Sequence, residues 1–245
     1  AGIKPFFYGF NERSIVFASQ YNQISKHPFY CNEPIDQEVL RLYFTQHFIP
    51  PPFGLLRNTY SVSPGQILTF DKNGRKRSSI YWDFPDYAQA KTNDKDALQI
   101  VKEELNHSVK AALISDVPVG AFLSGGVDSP IISSYANSNN FKTFSIGSDS
   151  PTHDESYLSN KYADSLNTMH YSVEMNAVNS IEALDRSIYS AGEPIGDFSI
   201  IPTWEVSRLA SKSVSVVLSG DGADELFFGY ERFRSISKNH WLWFW

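Results

Sequence analysis

The residues best suited to chemistry in this chain are Ser124-Gly125-Gly126-Val127-Asp128-Ser129, which follow directly on an apolar run at 117–123. A buried strand that feeds a glycine turn at the start of a helix is a design for holding an anion. Glycine lets the backbone approach closely, and the first amides of a helix have no partner within it. The ligand implied is a phosphate or pyrophosphate. No lysine follows the glycines, so this is not the nucleotide loop that ends in glycine, lysine and Ser/Thr. Its glycine spacing also differs from the dinucleotide fingerprint. A ligand-free strand-to-helix turn is the plain alternative, and the complete hexapeptide after an apolar strand argues against it.

A second block, Leu218-Ser219-Gly220-Asp221-Gly222-Ala223-Asp224-Glu225-Leu226-Phe227-Phe228-Gly229-Tyr230, also opens at the end of an apolar run. Asp128, Asp221, Asp224 and Glu225 would repel a triphosphate unless divalent cations lay between them. Magnesium is held by one or two carboxylates together with phosphate oxygens, and a bound ion reverses the local charge logic. Helix capping is the other reading of Asp221 and Asp224. Glu193, Asp197 and Ser199 occupy a Gly/Pro-containing loop before a helix, where loop and cap duties compete with ligand contact. The six histidines show no metal-ligand spacing, and His170 reads as a strand residue.

Taken together, these residues resemble the asparagine-synthetase-like group of ATP pyrophosphatases. The resemblance rests on the 124–129 and 218–230 blocks, on Glu193-Pro194-Ile195-Gly196-Asp197-Phe198-Ser199-Ile200-Ile201-Pro202-Thr203, on Asp154-Glu155-Ser156 and on Gly2-Ile3-Lys4-Pro5, all in family order. It implies ATP-dependent amidation of a carboxylate, aspartate to asparagine with glutamine as nitrogen donor, through an acyl-adenylate with release of AMP and pyrophosphate. It implies ATP and Mg2+ as cofactors. Nucleotide contacts fall on Ser124, Gly125, Gly126, Val127, Asp128 and Ser129, and through backbone groups on Leu123, Ile146, Ser219 and Gly220. Metal contacts fall on Asp128 and Asp224, catalytic roles on Asp221 and Glu225, and substrate contacts on Glu193, Asp197 and Ser199. From the residues alone, Leu123 and Ile146 read simply as core. The implied partners are small molecules, with no nucleic acid and no membrane, in a cytoplasmic protein for which a homodimer stays open. β-Lactam-forming relatives place a tyrosine where this chain has Asp221, and a non-catalytic nucleotide-binding module is the reading from another class. Pro130 removes one possible phosphate donor from the helix start. Ala223 and Phe228 stand where related sequences usually carry glycine.

These loops need elements to position them. From about residue 94 the pattern alternates, with strands expected near 117–123, 143–146, 170–173 and 214–218. Helices are expected near 94–114, 129–138, 154–166, 180–191 and 200–212. Such alternation gives an α/β fold, a doubly wound parallel sheet of the adenine-nucleotide α-hydrolase-like type. Leu98, Val101, Leu105, Val109 and Ala112 fall on one face of the first of these helices. Before residue 84 the chain reads as β-rich, with hairpins at 6–18 and at 66–82 around Asp71-Lys72-Asn73-Gly74 and a helix at 36–47 stopped by Pro50-Pro51-Pro52. The resemblance makes residues 1–85 the C-terminal part of an Ntn-type glutaminase domain and 94–245 the N-terminal part of a synthetase domain, joined by a linker at 84–93. The 245 residues are 42% hydrophobic and 20% charged, as in ordinary globular proteins. A formal net charge of -6 argues against a nucleic-acid surface. The single Cys31 excludes an internal disulfide. The start inside a hairpin pattern and the apolar end Trp241-Leu242-Trp243-Phe244-Trp245 are expected to mark an internal fragment, inactive alone.

Overall fold

The computed structural model describes residues 2–11, 14–84, 93–136, 138, 140–149 and 154–238. The linker at 85–92, the turn residues 12 and 13 and the terminal run 241–245 lie outside the described residues. Two compact units emerge, one of residues 1–90 with 181–201 and the other of residues 91–180 with 202–245.

The first unit opens with β1 (Phe7–Asn11) and β2 (Ser14–Ala18), an antiparallel pair with Gly9 opposite Val16. The short helix α1 (Tyr21–Ser25) and α2 (Gln37–Gln46) follow, and β3 (Thr59–Ser61) then pairs with β1 to complete a sheet ordered β2-β1-β3. Helix α2 starts where the Asp36 carboxylate accepts from the amides of Glu38 and Val39, at 3.0 and 3.3 Å. Phe7, Tyr21, Ile24 and Tyr30 form the core of this unit. The Tyr21 hydroxyl is fixed there by Thr59 Oγ1 at 2.8 Å and by the Leu56 amide at 2.7 Å, and burial pushes its pKa up. A separate hairpin joins β4 (Gln66–Phe70) to β5 (Lys76–Ile80).

The second unit begins with α3 (Asp94–Ala112), capped by Asn93, whose side chain accepts from the Asp96 amide and donates to the Asp96 carboxylate. Then come β6 (Val119–Phe122), α4 (Asp128–Ala136), β7 (Lys142–Ser148), α5 (Ser156–Leu166), β8 (Met169–Met175), α6 (Ala177–Ala191), which from residue 181 onward belongs to the first unit, α7 (Ile200–Ala210), β9 (Val216–Leu218), α8 (Ala223–Phe227) and α9 (Glu231–Lys238). The four strands are parallel and ordered β8-β7-β6-β9. Successive residues of β6 serve opposite faces. Ala121 packs with Val109, Ala136 and Phe141 beneath α3 and α4. Phe122 packs with Phe144, Val206, Ala210 and Val214 beneath α7. The sheet is therefore covered on both sides, as the alternating pattern requires. His170 in β8 is a framework residue, its ring nitrogens within 2.9 Å of Thr143 Oγ1 and 3.0 Å of Ser145 Oγ. Burial lowers its pKa.

Candidate active site

Strand order places the site. The chain runs outward from β6 through β7 to β8, then returns to lay β9 on the other side of β6. Between β6 and β9 the order reverses, and ligands of open α/β sheets settle beyond the carboxyl ends of the strands at such a point. The 124–129 turn leaves the end of β6 and the 219–222 turn leaves the end of β9, about 95 residues later.

The two turns touch. A methyl group added to Gly220 would stand 2.9 Å from Asp128 Cβ and 3.1 Å from the Ser129 amide nitrogen. Only a residue without a side chain permits that approach, which explains the glycine on structural grounds. Asp128, Ser129 and Gly220 are thereby brought together.

Within the first turn the donors are already engaged. The Ser124 amide donates to Ser129 Oγ at 2.8 Å, and the two serine hydroxyls lie 2.9 Å apart. The Gly126 amide donates to Ser124 Oγ at 3.2 Å. The Gly125 amide donates at 2.9 Å to the carboxylate of Glu155, at the start of α5. No role for Glu155 follows from the sequence, because the 30 residues separating it from Gly125 are bridged only once β7 and α4 are folded. Asp154-Glu155-Ser156 was a detectable signal as a motif, but its neighbour was not.

Leu123 is 1% exposed and its amide donates to the Phe144 carbonyl at 2.8 Å, so its side chain is core and its backbone closes the strand end. Ile146 packs against the cluster beneath α7. Val127 is exposed beside the turn.

The second turn differs in detail from simple helix capping. The N-cap of α8 is Gly222 with φ 89°, and neither Asp221 nor Asp224 caps the helix. Asp221 instead accepts from Ser219 Oγ at 3.0 Å. Glu225 accepts from the Tyr230 hydroxyl at 2.9 Å, and that bond raises the tyrosine pKa. The Asp224 carboxylate is folded back over Gly229, so closely that a Cβ there would collide with it. Among the described residues, no three acidic, histidine or cysteine side chains form a group able to hold a metal ion.

Glu193, Asp197 and Ser199 belong to the first unit. Asp197 Oδ1 accepts from the Ser199 amide at 2.8 Å, an Asx turn leading into α7. The preceding loop is tied down by the Gly196 amide, which donates to the His47 carbonyl at 2.7 Å. Glu193 is the unusual residue of the three. Its Oε2 is buried without a hydrogen-bond partner, and desolvation raises the carboxyl pKa to about 7. It faces a cavity of about 480 Å³ also lined by Lys4, Ser61, Gln66 and Tyr81.

The family model described as asparagine synthase matches residues 100–245, well over half of the chain. The chain belongs to the asparagine synthase family. A second model, described as a glutamine amidotransferase domain, matches residues 1–82. A Methanocaldococcus jannaschii protein provisionally named glutamine-hydrolysing asparagine synthetase 2 is 36% identical over 235 residues, covering 94% of this chain and 45% of that protein. Glutamine-hydrolysing asparagine synthetase 1 of Bacillus subtilis is 32% identical over 235 residues, covering 95% of this chain and 37% of that protein. The chain thus spans less than half the length of these relatives. Among solved structures, the NH3-dependent NAD synthetase of Campylobacter jejuni aligns at TM-score 0.39 and 20% identity over 54% of this chain and 60% of that one.

Proposed function

We propose that the protein carrying this chain amidates a carboxylate at the expense of ATP, converting aspartate to asparagine with glutamine as the nitrogen donor. In this reading residues 1–85 belong to the glutamine-hydrolysing part and 94–245 to the synthetase part. The observation that supports it best is the contact of Gly220 with Asp128 and Ser129 at the strand-order switch, in a member of the asparagine synthase family. The names of the relatives supply the substrate pair.

The chemistry asks for two displacements. A substrate carboxylate oxygen attacks the α-phosphorus of ATP and pyrophosphate leaves, giving an acyl-adenylate. Ammonia then attacks the acyl carbon and AMP leaves. Negative charge moves onto the departing pyrophosphate in the first step, so donors fixed in advance around it lower the barrier. The 124–126 turn and the start of α4 are the donors in this account, with Ser219 and Gly220 closing the other side. Leu123 and Ile146 offer backbone groups at their strands to the adenine edge. Asp221 and Glu225 are the acid–base groups for the ammonia step. Glu193, Asp197 and Ser199 are the contacts to the amino-acid substrate.

The available donors suit Mg2+. They are carboxylate oxygens alone, hard ligands with no sulfur or imidazole among them, and a cation needing only one or two of them plus phosphate oxygens requires no larger protein cluster. Asp128 and Asp224 would hold the ion, Asp224 after leaving Gly229. Its contribution when bound is to neutralise the charge of the phosphates beside these acidic turns. A cytoplasmic setting and a homodimeric assembly belong to the same proposal. Among the described residues, no helix is long and apolar enough to cross a membrane.

The test is product analysis with the intact protein. Aspartate-dependent formation of AMP and pyrophosphate from ATP, with asparagine made in equal amount, is the expected result. Release of ADP and phosphate, or nucleotide cleavage indifferent to aspartate, would refute the reading.

A further inference from the structure

The anion-binding turn of this chain already holds an anion, and the anion is one of its own side chains. Of the three amides at 124–126, two donate to serine oxygens of the turn itself, and the third, from Gly125, donates to Glu155. Glu155 is the N-cap residue of α5, yet its carboxylate makes no capping bond to its own helix. Asp154 does that work instead. Its carboxylate accepts from the Ser156 amide at 3.0 Å, the Ser156 hydroxyl at 2.8 Å and the Ser148 amide at 3.3 Å. Those bonds hold its carboxyl below the usual range and pin the start of α5 to the end of β7. Glu155 is left to reach across to the turn. The approach is tight as well as polar, since a Cβ on Gly125 would stand 3.0 Å from Glu155 Cβ and 3.1 Å from Leu158 Cβ.

We propose that Glu155 is an internal competitor at this site, a carboxylate that a phosphate ligand must displace from the Gly125 amide. The proposal rests on the reading of the 124–129 turn as a phosphate site. A carboxylate on a backbone amide makes the same charge-assisted bond that a phosphate oxygen would make. Displacing it costs any incoming anion the same amount. A lone phosphate has few other contacts to offset that cost. A pyrophosphate also reaches the start of α4 and the Ser219-Gly220 turn, and can offset it. Glu155 thus weakens every anion by the same factor, which leaves the relative affinities unchanged but sets an affinity threshold that a polyphosphate tail clears at concentrations where single phosphates leave the site empty. Once displaced, its carboxylate is released from the turn, so occupancy of the site is also sensed at the start of α5.

The experiment is titration calorimetry of magnesium pyrophosphate and of inorganic phosphate into the intact protein and its Glu155→Gln and Glu155→Ala variants, with circular dichroism melts to confirm folding. Glu155→Gln keeps a carbonyl acceptor for the Gly125 amide and removes only the charge. A neutral acceptor bonds about half as strongly as a charged one, so pyrophosphate should bind about fivefold to tenfold tighter. Inorganic phosphate, undetectable with the parent protein, should become measurable. Glu155→Ala should tighten binding at least as much. A residue that merely props the turn predicts the opposite, unchanged affinity in Glu155→Gln and weaker affinity in Glu155→Ala. If the parent protein binds pyrophosphate and Glu155→Gln binds it no better, the competitor role is overturned and the nucleotide reading stands. If neither binds pyrophosphate, both fall together.

Discussion

Glu193 is a carboxylic acid placed where water does not reach one of its oxygens. No cation and no donor offsets the loss of hydration, and the pKa rises from 4.5 to about 7. The sign of the linked stability follows from which state holds the proton. Between about pH 4.5 and 7 the folded chain keeps a proton that the unfolded chain has released. The group's contribution is therefore complete below the lower value and is lost progressively as pH climbs through the upper one. Glu193→Gln removes this slope. The variant should match the parent near pH 4 and exceed it by about 1–2 kcal/mol at pH 8, once solvent screening of a partly exposed group is allowed for. Urea midpoints at the two pH values measure this, and an unaltered slope in the variant would contradict it. The sequence marked Glu193 as a ligand or loop residue but could not mark it as perturbed. Perturbation comes from burial, and burial exists only once the fold sets residue 193 beside a cavity lined by segments more than a hundred positions away.

At the scale of elements, helix α8 shows how one substitution acts through backbone geometry. It is a single short turn between two left-handed residues, Gly222 at φ 89° and Phe228 at φ 57°. A side chain in that region costs about 1 kcal/mol relative to glycine. The Phe228 ring is 67% exposed, and its edge contact with Phe233 at 5.4 Å returns little in water. Phe228→Gly should therefore stabilise the protein by about 0.5 kcal/mol, seen as a small rise in the urea midpoint; a fall would mean that the aromatic contact outweighs the strain. Other elements divide along similar physical lines. Helices α2 and α3 were legible because a capping Asp36 or Asn93 precedes an amphipathic run. Strands β6 and β9 were legible as apolar runs leading into glycine turns. Within the expected 66–82 hairpin, strand β5 occupies Lys76–Ile80, because Asp71 closes the turn by accepting from the Asn73 and Arg75 amides, which puts a polar, exposed segment into the ladder. On α3 the expected face is only partly used, with Val109 buried and Leu98 56% exposed. Leu113, just past the helix, packs where Ala112 was expected. Elements α1, β3 and α9 left no readable signal. The first two are five and three residues long, and α9 is strongly polar.

Across the whole molecule, function depends on topology more than on any one motif. Either glycine turn alone reads as a bend. The reversal of strand order between β6 and β9 makes them neighbours, and the sequence could suggest this only through the alternation of its elements and a family resemblance. Side-chain placements beside the two turns were beyond it. Glu155 on Gly125 depends on where α5 comes to rest, and Asp224 over Gly229 on how the chain leaves α8.

The shared crevice is tested most directly by the affinity of the intact protein for Mg-ATP before and after Gly220→Ala. The added methyl meets Asp128 Cβ and the Ser129 amide and must push the two turns apart. Overpacking of this kind costs about 1–3 kcal/mol, so Mg-ATP should bind at least about fivefold more weakly while the circular dichroism spectrum is retained. Undiminished Mg-ATP affinity in a folded Gly220→Ala protein would show that the two turns do not form one nucleotide site.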